Sequence, residues 1–99
     1  PLAGLVIVMD VRHPLREYDL QMLDFANSRD LPVHCLLTKS DKLGRSEQTK
    51  TLNQVKKDLA GRASVQLFSG SSKIGVDEAR AVVTGWLQNA NQNTGDPNG

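Results

Sequence analysis

The residues with the clearest chemical potential are Thr-Lys-Ser-Asp at positions 38–41, which follow an apolar run from Val33 to Leu37. Such a run is typical of a buried parallel strand, and open α/β sheets bind ligands at the carboxyl ends of their strands. The carboxylate of Asp41 could accept two parallel hydrogen bonds from guanine, from N1–H and the 2-amino group, a donor pair that adenine lacks. The apolar stem of Lys39 could lie against the base. An ordinary strand end is the alternative interpretation.

A second candidate loop covers residues 69–73 and is rich in small side chains. It follows an apolar run and precedes a segment of helical periodicity. Backbone N–H groups near Ser69 and Gly70 could face a carbonyl of a ligand, such as O6 of guanine. The alternative is an ordinary strand-to-helix loop. The presence of the 38–41 loop beside it favours the ligand-binding interpretation.

Three apolar runs alternate with three helical segments, which predicts the order β-α-β-α-β-α. Strands are predicted at 5–9, 33–37 and 64–68, and helices at 15–28, from Ser46 to Gly61, and from Val76. The unbroken run from Leu5 to Met9 predicts a fully buried strand. The first helix is expected to bury a face with Tyr18, Met22, Phe25 and Ala26, flanked by Leu23. The alternation implies parallel strands, so that Asp10 and both loops gather at one edge of the sheet.

Length and composition describe one small domain. The 99 residues carry 12 Lys and Arg against 11 Asp and Glu, and a net charge of +1 gives no broad electrostatic surface for nucleic acid or membrane. The single Cys35 excludes an internal disulfide, and no apolar run approaches the roughly 18 residues of a membrane span. We expect an ordered domain over 1–88 and a disordered polar tail over 89–99. Because the first residue is Pro1, we expect a piece of a longer protein.

The sequence lacks the parts that hold a triphosphate. The phosphate cradle G-x-x-x-x-G-K-[ST] has only one near match, from Gly70 to Gly75, and Val-Asp follows it instead of Lys-Ser. No D-x-x-G follows a strand, and no His or Cys pair has metal-site spacing. We therefore predict base recognition without phosphoryl transfer, with no catalytic residue and no metal ligand in this chain.

Four ordered motifs carry a resemblance to known proteins. Thr38, Lys39 and Asp41 resemble the guanine-recognition motif of P-loop GTPases, with Thr in place of the usual Asn. The chain further resembles the EngB (YihA/YsxC) family of ribosome-biogenesis GTPases from Leu5 to Leu87. The motifs are LVIVMDVRHPL at 5–15, DLQM at 19–22, LLTKSDKL at 36–43, and FS at 68–69 with Lys73, Gly75, Val76 and Asp77.

The resemblance implies the carboxyl-terminal half of a Ras-like P-loop GTPase fold, with three layers and the last helix opposite the first two. It implies that Lys39 and Asp41 bind guanine, that Thr38 supports the loop, and that Ser69 and Gly70 offer backbone contacts to the base. Gly70 stands where Ala or Ser is common, which leaves that contact looser. The family's cofactors are GTP or GDP and Mg²⁺, which we expect in the intact parent and not bound tightly to this chain.

The resemblance also implies a cytoplasmic protein that helps to assemble the large ribosomal subunit and is linked to cell division and septation. The family's phosphate loop, switch regions and first strands have no counterpart here, so GTP hydrolysis is not expected of this chain alone. The strand from Leu5 to Met9 would then lack its neighbour and could pair with another copy.

Two other classes of function stay open. A receiver-like signalling domain would be phosphorylated on Asp10, although the acidic pair that holds Mg²⁺ in such domains has no counterpart. A ribosome- or RNA-docking module is the other alternative, and the net charge of +1 weighs against autonomous RNA binding. Residues preceding Pro1 would discriminate, since a phosphate cradle there favours the GTPase and a second acidic cluster favours the receiver.

Overall fold

The computed structural model describes residues 2–94, with side chains as far as residue 89. Its elements are β1 (Leu5–Asp10), α1 (Glu17–Ser28), β2 (Val33–Thr38), a short 3₁₀ turn (Ser40–Lys42), α2 (Arg45–Leu59), β3 (Ser64–Leu67) and α3 (Val76–Thr94). This is the predicted alternation. Helix α2 begins at Arg45, one residue before the predicted start at Ser46, and Gly44 caps it without a side-chain hydrogen bond.

The sheet has the strand order β1-β2-β3, and both pairs of neighbours are parallel. Ile7 lies opposite Cys35, which in turn lies opposite Val65. The predicted parallel α/β architecture is therefore confirmed. The carboxyl ends of all three strands meet at one edge, and the two candidate loops begin there.

The apolar core lies on one face of the sheet. Side chains of a strand alternate between faces, so every second residue shares this one. The core consists of Ile7, Met9, Val11, Leu23, Ala26, Val33, Cys35, Leu37, Val55, Leu59 and Val65. Its strand members are alternate residues, and its helical members come from α1 and α2. Both of these helices therefore cover the same face, as expected.

The opposite face carries α3. A Cβ atom at Gly4 would lie 2.5 Å from the ring of Trp86, so the backbone before β1 and this helix are in close contact. Gly4 follows the same alternation as Val6 and Val8, which point away from the core. Helices therefore lie on both faces of the sheet, which gives the predicted three-layer arrangement.

Strand β1 is less buried than its sequence predicts. Ile7 and Met9 are buried, but Val8 is 60% exposed, and Leu5 and Val6 are only half-buried. The prediction of a fully buried strand is wrong because the outer face of β1 is only partly covered. Helix α3 covers the outer face near Gly4 and leaves it open at Val8.

Helix α1 buries only part of the predicted face, since Ala26 lies in the core and Met22 packs against it, whereas Tyr18 and Phe25 do not. Leu23 and Ala26 are fully buried, whereas Tyr18 is 70% exposed and Phe25 is 40% exposed. The guanidinium of Arg29 lies 4.1 Å from the centre of the Phe25 ring, which partly shields that ring from water. The helix is thus rotated towards Leu23 relative to our expectation.

Helix α3 continues to Thr94, past the boundary at 88 that the composition predicts. Residues 89–94, which are polar except for Ala90, extend the helix. Residues 95–99 lie outside the described part of the chain, and the disordered tail over 89–99 stays a prediction. Within residues 2–94, no helix combines the length and apolarity of a membrane span.

Candidate functional site

The 38–41 loop turns sharply at the end of β2. Lys39 adopts a left-handed conformation, with φ 60° and ψ 31°, and the 3₁₀ turn Ser40–Lys42 follows at once. A positive φ is uncommon for residues other than glycine, so the surrounding contacts must stabilise it. The turn leaves the side chains of Lys39 and Asp41 exposed at the carboxyl edge of the sheet.

Ser40 is the contact that stabilises this turn, and its side chain is fully buried. Its hydroxyl donates to the carbonyl of Leu37 at 2.7 Å and accepts from the N–H of Phe68 at 3.0 Å. Its own N–H donates to the carbonyl of Phe68 at 3.1 Å. The sequence analysis assigned Ser40 no role, yet it joins the start of one candidate loop to the start of the other.

Asp41 and Ser69 are brought together by this junction. The hydroxyl of Ser69 donates to Oδ1 of Asp41 at 2.7 Å and accepts from the N–H of Ser72 at 3.2 Å. Ser69 is 2% exposed, whereas Asp41 faces solvent. A buried hydroxyl therefore fixes the orientation of an exposed carboxylate, which is an arrangement suited to binding paired donors of a ligand.

The second candidate loop extends to Gly75 in the structure, and this 69–75 loop is closed by hydrogen bonds of its own backbone. The N–H of Ser69 donates to the carbonyl of Ile74 at 2.9 Å, and the N–H of Ile74 donates back at 3.0 Å. The expectation that Ser69 offers its backbone N–H to a base is therefore wrong, because that N–H is already donated. Gly70 is exposed, and among the described residues its N–H has no acceptor. A Cβ atom at Gly70 would meet nothing within 4 Å, so packing does not require glycine there.

Thr38 and Lys39 connect this loop to the end of β1. The hydroxyl of Thr38 donates to the carbonyl of Met9 at 3.0 Å, and Nζ of Lys39 lies 3.7 Å from Oδ2 of Asp10. The lysine side chain is 60% exposed, so its stem remains accessible to a flat ligand. Thr38 thus ties the end of β2 to the end of β1.

Asp10 is engaged by cationic neighbours. Its Oδ1 accepts from the backbone N–H of Arg12 at 2.8 Å and from Nε of Arg12 at 3.2 Å. These bonds, with the charges of Arg12 and Lys39, hold the pKa of Asp10 well below its usual range. Within the described residues, no three acidic, His or Cys side chains cluster as a metal site. Asp10 therefore lacks the acidic surroundings that a receiver-like phosphorylation site requires.

Two further residues that the sequence analysis did not single out hold the loops. Gln48 and Gln66 each donate hydrogen bonds from one side-chain amide to two backbone carbonyls next to a loop. For Gln66, the sequence signal that could have revealed this role was a polar residue inside an apolar strand pattern. Gln66 lies between Val65 and Leu67 in β3, and it is 2% exposed.

The chain is similar to proteins of known family over most of its length. It is 58% identical over 90 residues to the probable GTP-binding protein EngB of Xanthomonas campestris pv. campestris, a match that covers 87% of this chain and 44% of that protein. The chain belongs to the EngB family of GTP-binding proteins. EngB of Stenotrophomonas maltophilia is 57% identical over 90 residues, with 87% and 45% covered. The chain thus spans less than half the length of these relatives. No protein-family model matches it.

Two solved structures share the fold of this chain. Translation elongation factor SelB from Methanococcus maripaludis superposes in its apo form with a TM-score of 0.75 and 24% identity, over 87% of this chain and 20% of SelB. Its complex with the GTP analogue GppNHp gives a TM-score of 0.74 and 26% identity, over 89% and 21%. The fold of this EngB chain is accordingly the α/β half of a Ras-like P-loop GTPase domain. Membership in EngB leaves the receiver-like alternative without support.

Proposed function

We propose that this chain is the guanine-recognition part of an EngB GTP-binding protein. The observation that carries the proposal is the bond between Ser69 and Asp41, which fixes an exposed carboxylate at the carboxyl edge of a parallel sheet. That edge is where ligands of α/β sheets bind.

Three groups at this edge account for the recognition of one base. Asp41 would accept hydrogen bonds from N1–H and the 2-amino group of guanine, and the N–H of Gly70 would donate to O6. The stem of Lys39 would lie against the ring, while its ammonium stays near Asp10. Adenine would be rejected because it presents an unprotonated N1 to the carboxylate and an amino group to the Gly70 N–H, which leaves both without partners.

The recognition of phosphates falls to other parts of the protein. The 99 residues contain no phosphate cradle. Tight binding of GTP or GDP with Mg²⁺, and hydrolysis of GTP, are therefore proposed for the whole EngB protein and not for this chain alone. A base site that lacks its phosphate contacts gives up most of the electrostatic stabilisation of a nucleotide.

The cellular role follows from the family resemblance. We propose a cytoplasmic protein that acts in the assembly of the large ribosomal subunit, with a link to cell division and septation. The partners are then a guanine nucleotide, the ribosomal subunit and the amino-terminal half of the GTPase domain, which would pair with β1. When β1 lacks that neighbour, self-association through its open edge takes its place.

The deciding experiment is Asp41→Asn in a full-length EngB protein that carries this sequence. GTP affinity should fall and xanthosine triphosphate should become the preferred nucleotide. Xanthine carries a carbonyl in place of the 2-amino group, and the asparagine amide can donate to it, whereas the native carboxylate is repelled. Loss of each charge-assisted hydrogen bond should lower GTP affinity by roughly 10- to 150-fold. Competition among GTP, ATP and xanthosine triphosphate measures the change.

Two further variants test whether the effect is specific to Asp41. Asp77→Asn makes the same chemical change at a side chain that is 99% exposed on α3, and it should alter neither affinity nor preference. Lys39→Ala should weaken all purine nucleotides alike, because it removes stacking and not base selection. Unchanged GTP affinity and base preference in Asp41→Asn would mean that residues 38–41 are only a strand end.

A further inference from the structure

We propose that Gln48 and Gln66 are positioning residues for the two loops that read the base, and that each controls a different part of the recognition. The inference rests on the proposed function and deepens it. Its basis is that, at each loop, one glutamine side-chain amide donates to two backbone carbonyls, and neither glutamine is among the groups proposed to contact the base.

Gln48 holds the 38–41 loop from the first turns of α2. Its Nε2 donates to the carbonyl of Ser40 at 2.7 Å and to the carbonyl of Leu43 at 3.0 Å. A primary amide has two N–H donors, so both are used. The two carbonyls flank Asp41, and the glutamine is half-buried. Its loss would release the turn that presents the carboxylate of Asp41.

Gln66 holds the 69–75 loop from β3. Its Nε2 donates to the carbonyl of Gly75 at 2.7 Å and to that of Leu67 at 3.1 Å. These carbonyls stand on either side of the loop, so one amide ties its beginning to its end. Gly75 has φ 73°, and a Cβ there would collide with the carbonyl of Leu67. The loop can close so tightly only around this glycine.

A buried histidine fixes the orientation of Gln66. The Nε2 of His34 lies 2.6 Å from Oε1 of Gln66, and both residues are at most 3% exposed. Since the glutamine nitrogen faces two carbonyl oxygens, its oxygen must face the histidine, which therefore carries a hydrogen on Nε2. The amide cannot flip without placing its oxygen against the oxygens of Leu67 and Gly75. The anchor of this loop is thus set by β2 as well as by β3.

The two loops would contact different atoms of guanine, which makes their anchors separable. Asp41 in the first loop reads the 2-amino group, and inosine diphosphate lacks that group. The Gly70 N–H in the second loop reads O6, and 6-thioguanosine diphosphate has sulfur there, a weaker acceptor than oxygen. The affinity ratio of GDP to inosine diphosphate therefore reports the first loop. The ratio of GDP to 6-thioguanosine diphosphate reports the second.

The test uses the same substitution at three sites of the full-length protein. Gln48→Met and Gln66→Met keep the length of the side chain and remove its donors. Gln54→Met is the control, because Gln54 is exposed on α2 and, among the residues that the structure describes, its side chain bonds to Asp58 alone. Dissociation constants are measured for GDP, inosine diphosphate and 6-thioguanosine diphosphate, and urea unfolding confirms that each variant is folded.

We expect a crossed pattern. Gln48→Met should reduce the preference for GDP over inosine diphosphate about three- to tenfold, which corresponds to the loss of one or more neutral hydrogen bonds. The affinity ratio of GDP to 6-thioguanosine diphosphate should stay unchanged. Gln66→Met should reduce the preference for GDP over the sulfur analogue by a similar factor and leave the inosine ratio unchanged. Gln54→Met should change neither ratio.

Several outcomes would overturn the inference. A uniform loss of affinity for all three nucleotides would assign the glutamines to stability alone, and unchanged ratios would show that the loops do not depend on them. If Gln66→Met fails to fold, Gln66→Glu answers the same question, because it keeps an oxygen for His34 and cannot donate to both carbonyls. A wild-type protein that does not prefer GDP over inosine diphosphate would instead defeat the proposed function itself.

Discussion

Strands β1 and β2 have similar sequences and different surroundings. Both are apolar runs that end in a polar residue, Asp10 in one and Thr38 in the other. Strand β2 has a neighbour on each side and is buried at four of its six residues, whereas β1 is buried at two of six. An apolar run therefore predicts that a segment enters a sheet, and it does not predict what covers that segment.

The same comparison bears on the position of the proposed base site. The central strand β2 supplies the loop with Asp41, and its buried Leu37 and Ser40 tie that loop to β3. The edge strand β1 contributes Asp10 and the carbonyl of Met9, which support the loop from the side. If the proposed function holds, selection of the base rests on the best-packed part of the sheet.

The largest expected effect is the difference in unfolding free energy between a truncation in β2 and one in β1. Leu37→Ala removes a fully buried side chain, so it should lower the free energy of unfolding by about 2–5 kcal/mol. Val8→Ala removes atoms from a residue that is 60% exposed, and the change should stay within about 0.5 kcal/mol. Urea unfolding followed by circular dichroism gives both values. Equal losses would show that the outer face of β1 is covered after all.

A second prediction concerns the open edge of β1. The chain alone should self-associate as its concentration rises, because an unpaired edge offers its N–H and C=O groups to another strand. Val8→Lys should reduce that association, since charged side chains on an edge strand disfavour pairing. Sedimentation velocity over a concentration series measures the effect.

The control for this edge lies on the neighbouring helix. Val83→Lys makes the same change at a residue of α3 that is 38% exposed, and the dimer fraction should stay as in the wild type. A wild-type chain that stays monomeric at high concentration would contradict self-association through β1. An equal effect of both variants would place the contact on the outer face and not on the edge.

The sequence was sufficient for the order of elements, the parallel sheet and the convergence of residues 38–41 with Ser69. These features follow from local periodicity and from the handedness of strand connections. The exposure of Val8 was missed because it depends on how α3 crosses the sheet. The face of α1 was predicted correctly at Ala26 and wrongly at Tyr18 and Phe25, because Tyr18 is amphipathic and Phe25 is shielded by Arg29, while the flanking Leu23 fills the core.

The supporting contacts of the site were not predictable in the same way. Ser40 and Gln66 are polar residues whose roles depend on backbone groups of other segments, the N–H of Phe68 and the carbonyl of Gly75, and periodicity carries no information about such pairings. The engagement of the Ser69 N–H with Ile74 likewise depends on how the loop closes on itself. Long-range hydrogen bonds are set by tertiary structure and leave only a weak sequence signal.

The smallest expected effect concerns the reactivity and titration of the Cys35 thiol in β2. Cys35 is fully buried opposite Ile7 of β1, and burial is the main cause that raises the pKa of its thiol from 9.0 to about 11, with a smaller contribution from the charge of Asp19. The native chain should therefore react with a thiol reagent at pH 8 only as fast as it unfolds. In urea, the same thiol should react at once.

The sign of the accompanying pH dependence follows from which state keeps the proton. Between pH 9 and about 11 the unfolded thiol ionises while the folded one stays protonated. The folded state then binds more protons, so the free energy of unfolding should fall as pH rises through this window. Cys35→Ala removes the titrating group, and subtraction of its urea curves at pH 8, 9 and 10 isolates the contribution of the thiol from those of Lys and Tyr. Parallel curves for the two proteins would mean that water reaches the centre of β2.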